Sequence, residues 1–358
     1  MFRYLLSLIF IPLTISSIVM GGWWSFCVPL VAFVLIPTLE LLLPIDVGNM
    51  SKEEEERALS SKWFSYILYA IVPLHWAVVI FYLYSVSLGQ MTWLHWLGAT
   101  SSVGILCGAY GINVAHELGH RKKKHEQWFS KILLLSSLYM HFFIEHNRGH
   151  HKHVATEADP ASARYGEVLY AFWFRSVVMG YISAWKIEST RLSKKKLPWY
   201  HWSNEMLSLQ LIQLAALGLT YAFFDVFGLL SFLAIATIGF LLLETINYIE
   251  HYGLTRKRKQ NGRYESVLPI HSWNSDHALG RMLLFELTRH SDHHAHASRK
   301  YQVLRHFDES PQLPTGYPGM MVLSLFPPIW FWVMHRHIDA YKEQLEGQRP
   351  IPTAGQTA

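Results

Sequence analysis

Cysteine is almost missing from this 358-residue chain, which has only Cys27 and Cys107, each inside a long apolar run. That excludes a disulfide framework, and without a Cys-x-x-Cys pair it also excludes a thiolate-held iron–sulfur or single-iron centre. The glycine signatures G-x-G-x-x-G and G-x-x-x-x-G-K-[ST] are absent too, so phosphate groups have no recognisable cradle. We therefore expect no haem, flavin or nucleotide on this chain and no nucleic-acid partner. Any electrons for redox chemistry must come from another protein. Internal repeats and low-complexity tracts are lacking, which gives a single domain over 1–346 and a loose tail over 347–358.

Charge is also scarce: 16% of residues are charged against 51% hydrophobic. A spanning helix needs about 20 mostly apolar residues, and six runs come close: Tyr4 to Met20, Trp23 to Leu43, Ser65 to Val86, Trp93 to Ala115, Ser208 to Phe224 and Phe227 to Tyr248. The fold class expected is all-α, integral to the lipid bilayer, with six transmembrane helices. None of these runs contains Lys or Arg, and neither do the short turns around Gly21, Gly89 and Asp225. Every basic residue then falls on one side, which the positive-inside rule makes cytoplasmic, along with both termini. The first run is read as half of a helical hairpin rather than a cleaved signal, because a second apolar run follows at once and no small-x-small site intervenes.

Two large segments face the cytoplasm, Arg121 to Leu207 and His251 onward. Each holds an apolar stretch too short to span comfortably, Phe129 to Phe143 and Gly319 to Met334. The first is expected to lie at the membrane face and to lead straight into His146. In the fourth run Gly104, Gly108 and Gly111 predict close helix packing. The acidic stretch Glu53 to Glu56 reads as a solvated helix start after Ser51, with Lys52 and Arg57 as local partners.

What the chain has in abundance is histidine at the ends of those runs. Nine fall in four clusters: HELGH (His116, His120), HNRGHH (His146, His150, His151), EHYG (His251) and HSDHH (His290, His293, His294). Residues three or four apart share a helix face, so each multi-histidine cluster can aim two or three imidazoles at one point. One metal takes four to six ligands, and nine imidazoles favour two metals. Glu117, Glu145, Asp159, Glu250 and Asp292 lie in or beside the clusters and are candidates for orienting the ligands, since a ligating imidazole usually donates its other N–H to a carboxylate or carbonyl. Their alternative is an ordinary salt bridge with Arg148, Lys152 or Arg289. The remaining histidines read as surface or interface residues, with His141, His153, His271, His277 and His296 near enough to support a ligand.

HELGH also matches the H-E-x-x-H signature of zinc proteases. A catalytic zinc, however, needs one further ligand and leaves six clustered histidines unused. A metal transporter would place its histidines along a path through the spans, not on one face. A carboxylate di-iron site would need a repeated Glu-x-x-His pair that is missing.

The pattern HxxxH, HxxxHH, HxxHH resembles the membrane fatty acid desaturase and hydroxylase superfamily. The longer runs HELGHR, EHNRGHHKHVATEADPASAR, ETINYIEHYGL, HSWNSDH and LTRHSDHHAHASRKYQVLRHFDESPQLPTGYPGM are similar to the membrane-bound alkane 1-monooxygenases, from about His116 to about Met334. The resemblance implies a non-haem centre of two Fe ions held by the nine clustered histidines, and O2-dependent hydroxylation of terminal methyl groups of medium- to long-chain n-alkanes. It implies rubredoxin as electron donor, itself reduced by an NADH-dependent rubredoxin reductase, and a place in the bacterial cytoplasmic (inner) membrane. Hydroxylation of aromatic methyl groups, as in xylene-type enzymes, and desaturase-like chemistry are the nearest alternatives. His296 departs from the family's HHAN run, and Lys122 to Lys124 make the first box unusually basic; neither change touches the nine ligands. On this reading an apolar tunnel between spans sets chain length, with Phe33 as candidate gate. Lys194, Lys195, Lys196, Arg256, Lys257, Arg258 and Lys259 suit anionic lipid or an acidic donor.

Overall fold

The computed structural model describes residues 2–347, so the expected tail lies outside it except for Gly347. Among these residues no strand forms, and extended segments meet only at isolated bridges such as Ile45 with His277. In chain order the helices that matter are α1 (Arg3–Met20) and α2 (Gly22–Leu42), α3 (Lys52–Ser60), and α4 (Trp63–Ser87) and α5 (Trp93–Gly119). They continue with α6 (Lys124–Leu135), α7 (Leu169–Lys194), α8 (Glu205–His251), α9 (His290–Ala295), α10 (Tyr317–Ser324) and α11 (Pro327–Gly347). Five of them, α1, α2, α4, α5 and α8, are long and apolar enough to cross a membrane. The 47-residue α8 is two helices joined at Asp225, where φ 60° and ψ −174° break the spiral. All six apolar runs therefore fall in helices, and the chain is a multi-pass membrane protein.

Local signals explain the joints. Gly21 adopts φ +66° between α1 and α2, a conformation that costs glycine little. Ser51 caps α3: its hydroxyl accepts the Glu54 amide at 3.2 Å while the Glu54 carboxylate accepts the Ser51 amide at 2.8 Å. The acids of α3 reach beyond local partners, because Glu55 pairs with Arg305.

Helix α5 packs closely, as its glycines predict. A Cβ at Gly104 would come within 2.6 Å of the Ile238 Cβ, and one at Gly108 within 3.0 Å of Leu242. Two stretches depart from α geometry into π turns, 31–35 in α2 and 107–112 in α5. Such turns collect at functional sites, and both line the cavity described below.

The segment after α6 differs from expectation. It does not lead straight into His146; it breaks at residues 136–141, with Leu138 at φ 49°, and turns back. Ser136 bonds His75 in the middle of α4 at 2.8 Å, Tyr139 stacks on Phe240 of α8 at 5.2 Å, and the Met140 amide donates to Gln213 at 3.0 Å. The loop is thus inserted between the long helices. Irregular backbone at that depth is tolerable because neighbouring protein covers and bonds it.

Helix α7 was not foreseen either. Its buried stripe, Leu169, Phe172, Ser176, Gly180, Ala184, Glu188 and Leu192, has helical spacing but mixed polarity, so no apolar period announces it. A buried ion network then ties the two ends of the chain together. Arg281 contacts Glu286 and Asp46 at 2.7 Å each, Arg289 contacts Asp276 at 3.2 Å, and Arg3 contacts Glu286 at 2.7 Å.

Gly104→Leu should force α5 away from α8 and destabilise the bundle by about 1–3 kcal/mol. A lowered thermal midpoint of the purified protein in detergent would show it, whereas an unchanged midpoint would mean the helices can separate at no cost.

Candidate metal centre

His116 sits in the last turn of α5 and His120 just beyond it, while His251 ends α8. His290, His293 and His294 ride on the six-residue α9. His146, His150 and His151 follow the inserted loop on a π turn over 146–150 that passes into an α turn at His151. Their ring nitrogens converge into two groups. One joins His116, His120, His146, His151 and His293; the other joins His150, His251, His290 and His294. The sequence clusters do not map one to one onto these groups. His146 and His151, five apart, point together while His150 points to the other group, and α9 likewise sends His293 one way and His290 and His294 the other.

The spacing within the groups fits metal ions. His146 Nε2 is 3.1 Å from His120 Nε2 and 3.0 Å from His151 Nε2, His293 Nε2 is 3.2 Å from His151 Nε2, and His150 Nε2 is 3.2 Å from His294 Nε2. Nitrogens bound to one ion at about 2.0–2.1 Å, about 90–109° apart, lie about 2.8–3.4 Å from each other. Moreover His116 Nε2, His251 Nε2 and both ring nitrogens of His290 are buried with no hydrogen-bond partner. Buried polar atoms left unpaired in this way call for an ion to complete them. The donor set, all imidazole with no thiolate, suits iron, zinc, copper or nickel.

Electrostatics keep most of these rings in the neutral form that ligation requires. Burial, followed by the neighbouring His150 and Arg121, pulls His120 down to about 3. Burial and crowding by other imidazoles drive His146, His151, His290, His293 and His294 well below the usual histidine range. His150 is different. Burial pulls it down most strongly, but the Asp159 carboxylate at 2.9 Å from Nδ1 together with Glu145 and Glu244 outweighs burial and raises it.

Of the five candidate carboxylates, two touch a clustered histidine. Asp159 accepts from His150 Nδ1 and also from Ser162 at 2.6 Å, which fixes the ring with Nε2 toward its group. Glu250 Oε2 lies 3.0 Å from His290 Nε2 but out of line for a hydrogen bond. Glu117 instead pairs with Arg121 and accepts the Tyr301 amide at 3.4 Å. Asp292 bonds Arg299 at 2.7 Å, His296 at 2.8 Å and the Arg305 amide at 2.8 Å. Glu145 makes one contact at 3.4 Å, to Ser183. The salt-bridge alternative therefore describes Glu117 and Asp292, although with Arg121 and Arg299 as partners. Ser272, 3.5 Å from His251 Nδ1, was not anticipated. Neither was Glu244, buried and bonded to Tyr139 at 2.8 Å and to Ser176 at 2.5 Å. An acid inside an apolar run was the available signal.

Two cavities run end to end up to the histidines. The outer one is lined by Phe33, Ile36, Ile105, Ala109, Leu283 and Met321 among other apolar residues. The inner one is narrow, shares Gly108 and Ile246 with it and ends at His116, His146, His290 and Glu250. Phe33 thus lines the apolar cavity. Lys194 ends α7 and Lys195 and Lys196 follow it, close in the chain to exposed Trp199, Tyr200 and Trp202, whereas Arg256 to Lys259 lie in a separate hairpin.

A protein stripped of metal should lose stability as pH falls. The depressed histidines take up protons on unfolding below about pH 6.5, so their contribution is complete above that value and shrinks beneath it. Thermal midpoints that fall between pH 7 and pH 5 would show this, and a flat profile would contradict it. His120→Ala and His251→Ala should each take metal content from about two ions per chain toward about one, read by elemental analysis; a total loss in both would argue for one indivisible site.

A family model described as fatty acid desaturase matches residues 91–324, which include every clustered histidine. Alkane 1-monooxygenase 2 of Pseudomonas aeruginosa is 43% identical over 333 residues, covering 89% of this chain and 85% of that protein. Alkane 1-monooxygenase 1 of the same organism is 42% identical over 327 residues, covering 89% and 84%. The xylene/toluene monooxygenase hydroxylase component of Pseudomonas putida is more distant, 28% identical over 316 residues, covering 87% and 81%. With two convergent imidazole groups behind an apolar cavity and likeness of this extent, the chain belongs to the alkane 1-monooxygenases within the fatty acid desaturase family.

Proposed function

We propose that the protein hydroxylates the terminal methyl group of medium- to long-chain n-alkanes with O2, taking two electrons from rubredoxin, which an NADH-dependent reductase recharges. The observation that carries this reading is the placement of the two imidazole groups at the blind end of an almost wholly apolar cavity. The outer part of the cavity is lined almost wholly by apolar side chains and offers no charged group to hold a polar headgroup. It accepts a hydrocarbon chain and directs one end at the histidines.

His116, His120, His146, His151 and His293 would hold one iron ion, and His150, His251, His290 and His294 a second. An unactivated methyl C–H has no acidic proton and no electrophilic carbon, and the bound irons supply the redox chemistry that no side chain here offers. The rest falls to the chain itself. Phe142, Leu243, Ile246 and Leu287 line the inner cavity beside His116, His146 and His290, excluding water and confining the last carbons of the substrate. Asp159 holds His150 in one tautomer. An alkane dissolved in lipid has already gained the roughly 0.8 kcal/mol per CH2 of leaving water, so selectivity comes from cavity shape.

The absence of Lys and Arg from the apolar runs and short turns supports six crossings of the bacterial cytoplasmic membrane, with both termini and the histidines on the cytoplasmic side. Lys194 to Lys196, next to exposed aromatics, fit anionic lipid headgroups.

Purified protein supplied with rubredoxin, its reductase, NADH and octane should form 1-octanol and contain about two irons per chain. One zinc per chain without alcohol would refute the proposal. Phe33→Ala should lengthen the outer cavity and shift the preferred substrate to longer alkanes, seen as a changed alcohol profile from a mixture of chain lengths; an unchanged profile would remove Phe33 as gate.

A further inference from the structure

A small polar cavity reaches the histidines from another side. It lies between Tyr139 and His141 of the inserted loop, Ser176 and Gly180 of α7, and Glu244 and Asn247 of α8. His146 of the five-histidine group and His150 of the four-histidine group both face it. Phe142, His146 and Asn247 line the inner apolar cavity as well, and so form the partition between the two.

The walls are built for a polar occupant. The buried Glu244 carboxylate accepts from the Tyr139 hydroxyl at 2.8 Å, the Ser176 hydroxyl at 2.5 Å and the Asn247 amide at 3.3 Å. Among the described residues no Lys or Arg pairs with it, and no hydrogen bond reaches the buried His141 ring, which stands edge-on to Tyr139 at 4.3 Å. Gly180 is buried in the middle of α7, yet a Cβ there would meet nothing within 4 Å. Glycine is a costly residue inside a helix, and here its bare face opens on the cavity. Pro160 and Ala161 close the outer side, and the same turn, through Asp159 and Ser162, lines a cleft whose walls at Glu157, Arg164 and Tyr165 are exposed to solvent.

Hydroxylation turns a terminal C–H into C–OH with one atom of O2, and the other atom takes two electrons from the carrier and two protons to leave as water. During turnover hydrocarbon fills the apolar cavity, and a saturated chain passes neither protons nor water. We propose that the polar cavity is a separate port, holding ordered water through which protons reach the histidine centre and the water formed there departs, with Glu244 handing on the protons. This rests on the hydroxylase reading above. The cavity has room for a single water-sized molecule and offers the several polar partners that such a water needs. Glu244 makes no hydrogen bond to a clustered histidine, so it acts through that water. The other titratable groups facing the cavity are Tyr139, His141, Glu145, His146 and His150; α7 contributes only Ser176 and Gly180.

The test uses the full-length, metal-loaded protein in lipid nanodiscs. A cryo-EM map sharp enough to show ordered water should place one within hydrogen-bonding reach of Glu244 or Asn247, and should lack it in Gly180→Leu, whose side chain fills the space. Supplied with rubredoxin, its reductase, NADH and octane, Gly180→Leu should keep its metal content and its KM for octane but lose kcat at least about tenfold. Gly218→Leu, at an exposed helical glycine whose Cβ also meets nothing within 4 Å, should match the unsubstituted protein. Glu244→Gln should lower kcat similarly and raise the solvent deuterium isotope effect on it, with Glu244→Asp recovering part of the rate. A residue that only braced the helices would leave the isotope effect unmoved. A dry cavity, an unchanged kcat in Gly180→Leu, or an unchanged isotope effect in Glu244→Gln would overturn the port. Should Gly180→Leu lose its metal, the map of the unsubstituted protein and Glu244→Gln decide. If the unsubstituted protein forms no octanol, the hydroxylase reading fails instead, and the maps still decide whether the cavity holds water.

Discussion

The constraint on which the rest of this structure depends is the burial of nine imidazoles without enough internal partners. An unpaired buried polar group costs about 1–3 kcal/mol, and His116, His251 and His290 leave ring nitrogens unmatched. The fold aims these rings inward, an arrangement that a bound metal would complete. Several other features serve to hold them there. The close glycine contacts of α5 fix where His116 points, the loop at 136–141 inserted among the helices delivers His146, and the Arg281–Glu286 and Arg289–Asp276 pairs anchor the segment that carries α9.

Backbone geometry then decides which ring joins which group. On an ideal α-helix His146 and His150 would share a face, and His151 would point elsewhere. The π turn over 146–150 widens the spiral so that His146 and His151 coincide and His150 is released to the other group. The π turn at 107–112 sits at the junction of the two cavities and contributes Gly108 to both. The same kind of local distortion shapes both the grouping of the imidazoles and the junction of the two cavities.

The polar groups around the centre divide by task. Asp159 and Glu250 lie against clustered imidazoles, whereas Glu117 and Asp292, equally close in sequence, turn away from them to hold Arg121, Arg299 and the backbone of 301–305. Proximity in sequence could not separate these roles, because a helix one residue from a ligand presents its neighbour about 100° away and what lies there is settled by packing. Glu244, deep in an apolar run, joins a polar cluster with Tyr139 and Ser176 from two other segments, which no linear motif could bring together.

The sequence by itself determined the helical class, the six apolar runs, the nine convergent histidines and the family, because hydrophobic length and ligand spacing are local properties written in consecutive residues. It also indicated the tight packing at Gly104 and Gly108 and the Ser51 cap, again from short-range patterns. The tertiary structure alone decided the division of the histidines into five and four, the inserted loop after α6, helix α7, and the cavities on which Phe33 and Asp159 open. Each of these arises from contacts between residues far apart in the chain, or from small departures from ideal helix geometry that such contacts stabilise, and neither leaves a periodic trace in the amino-acid order.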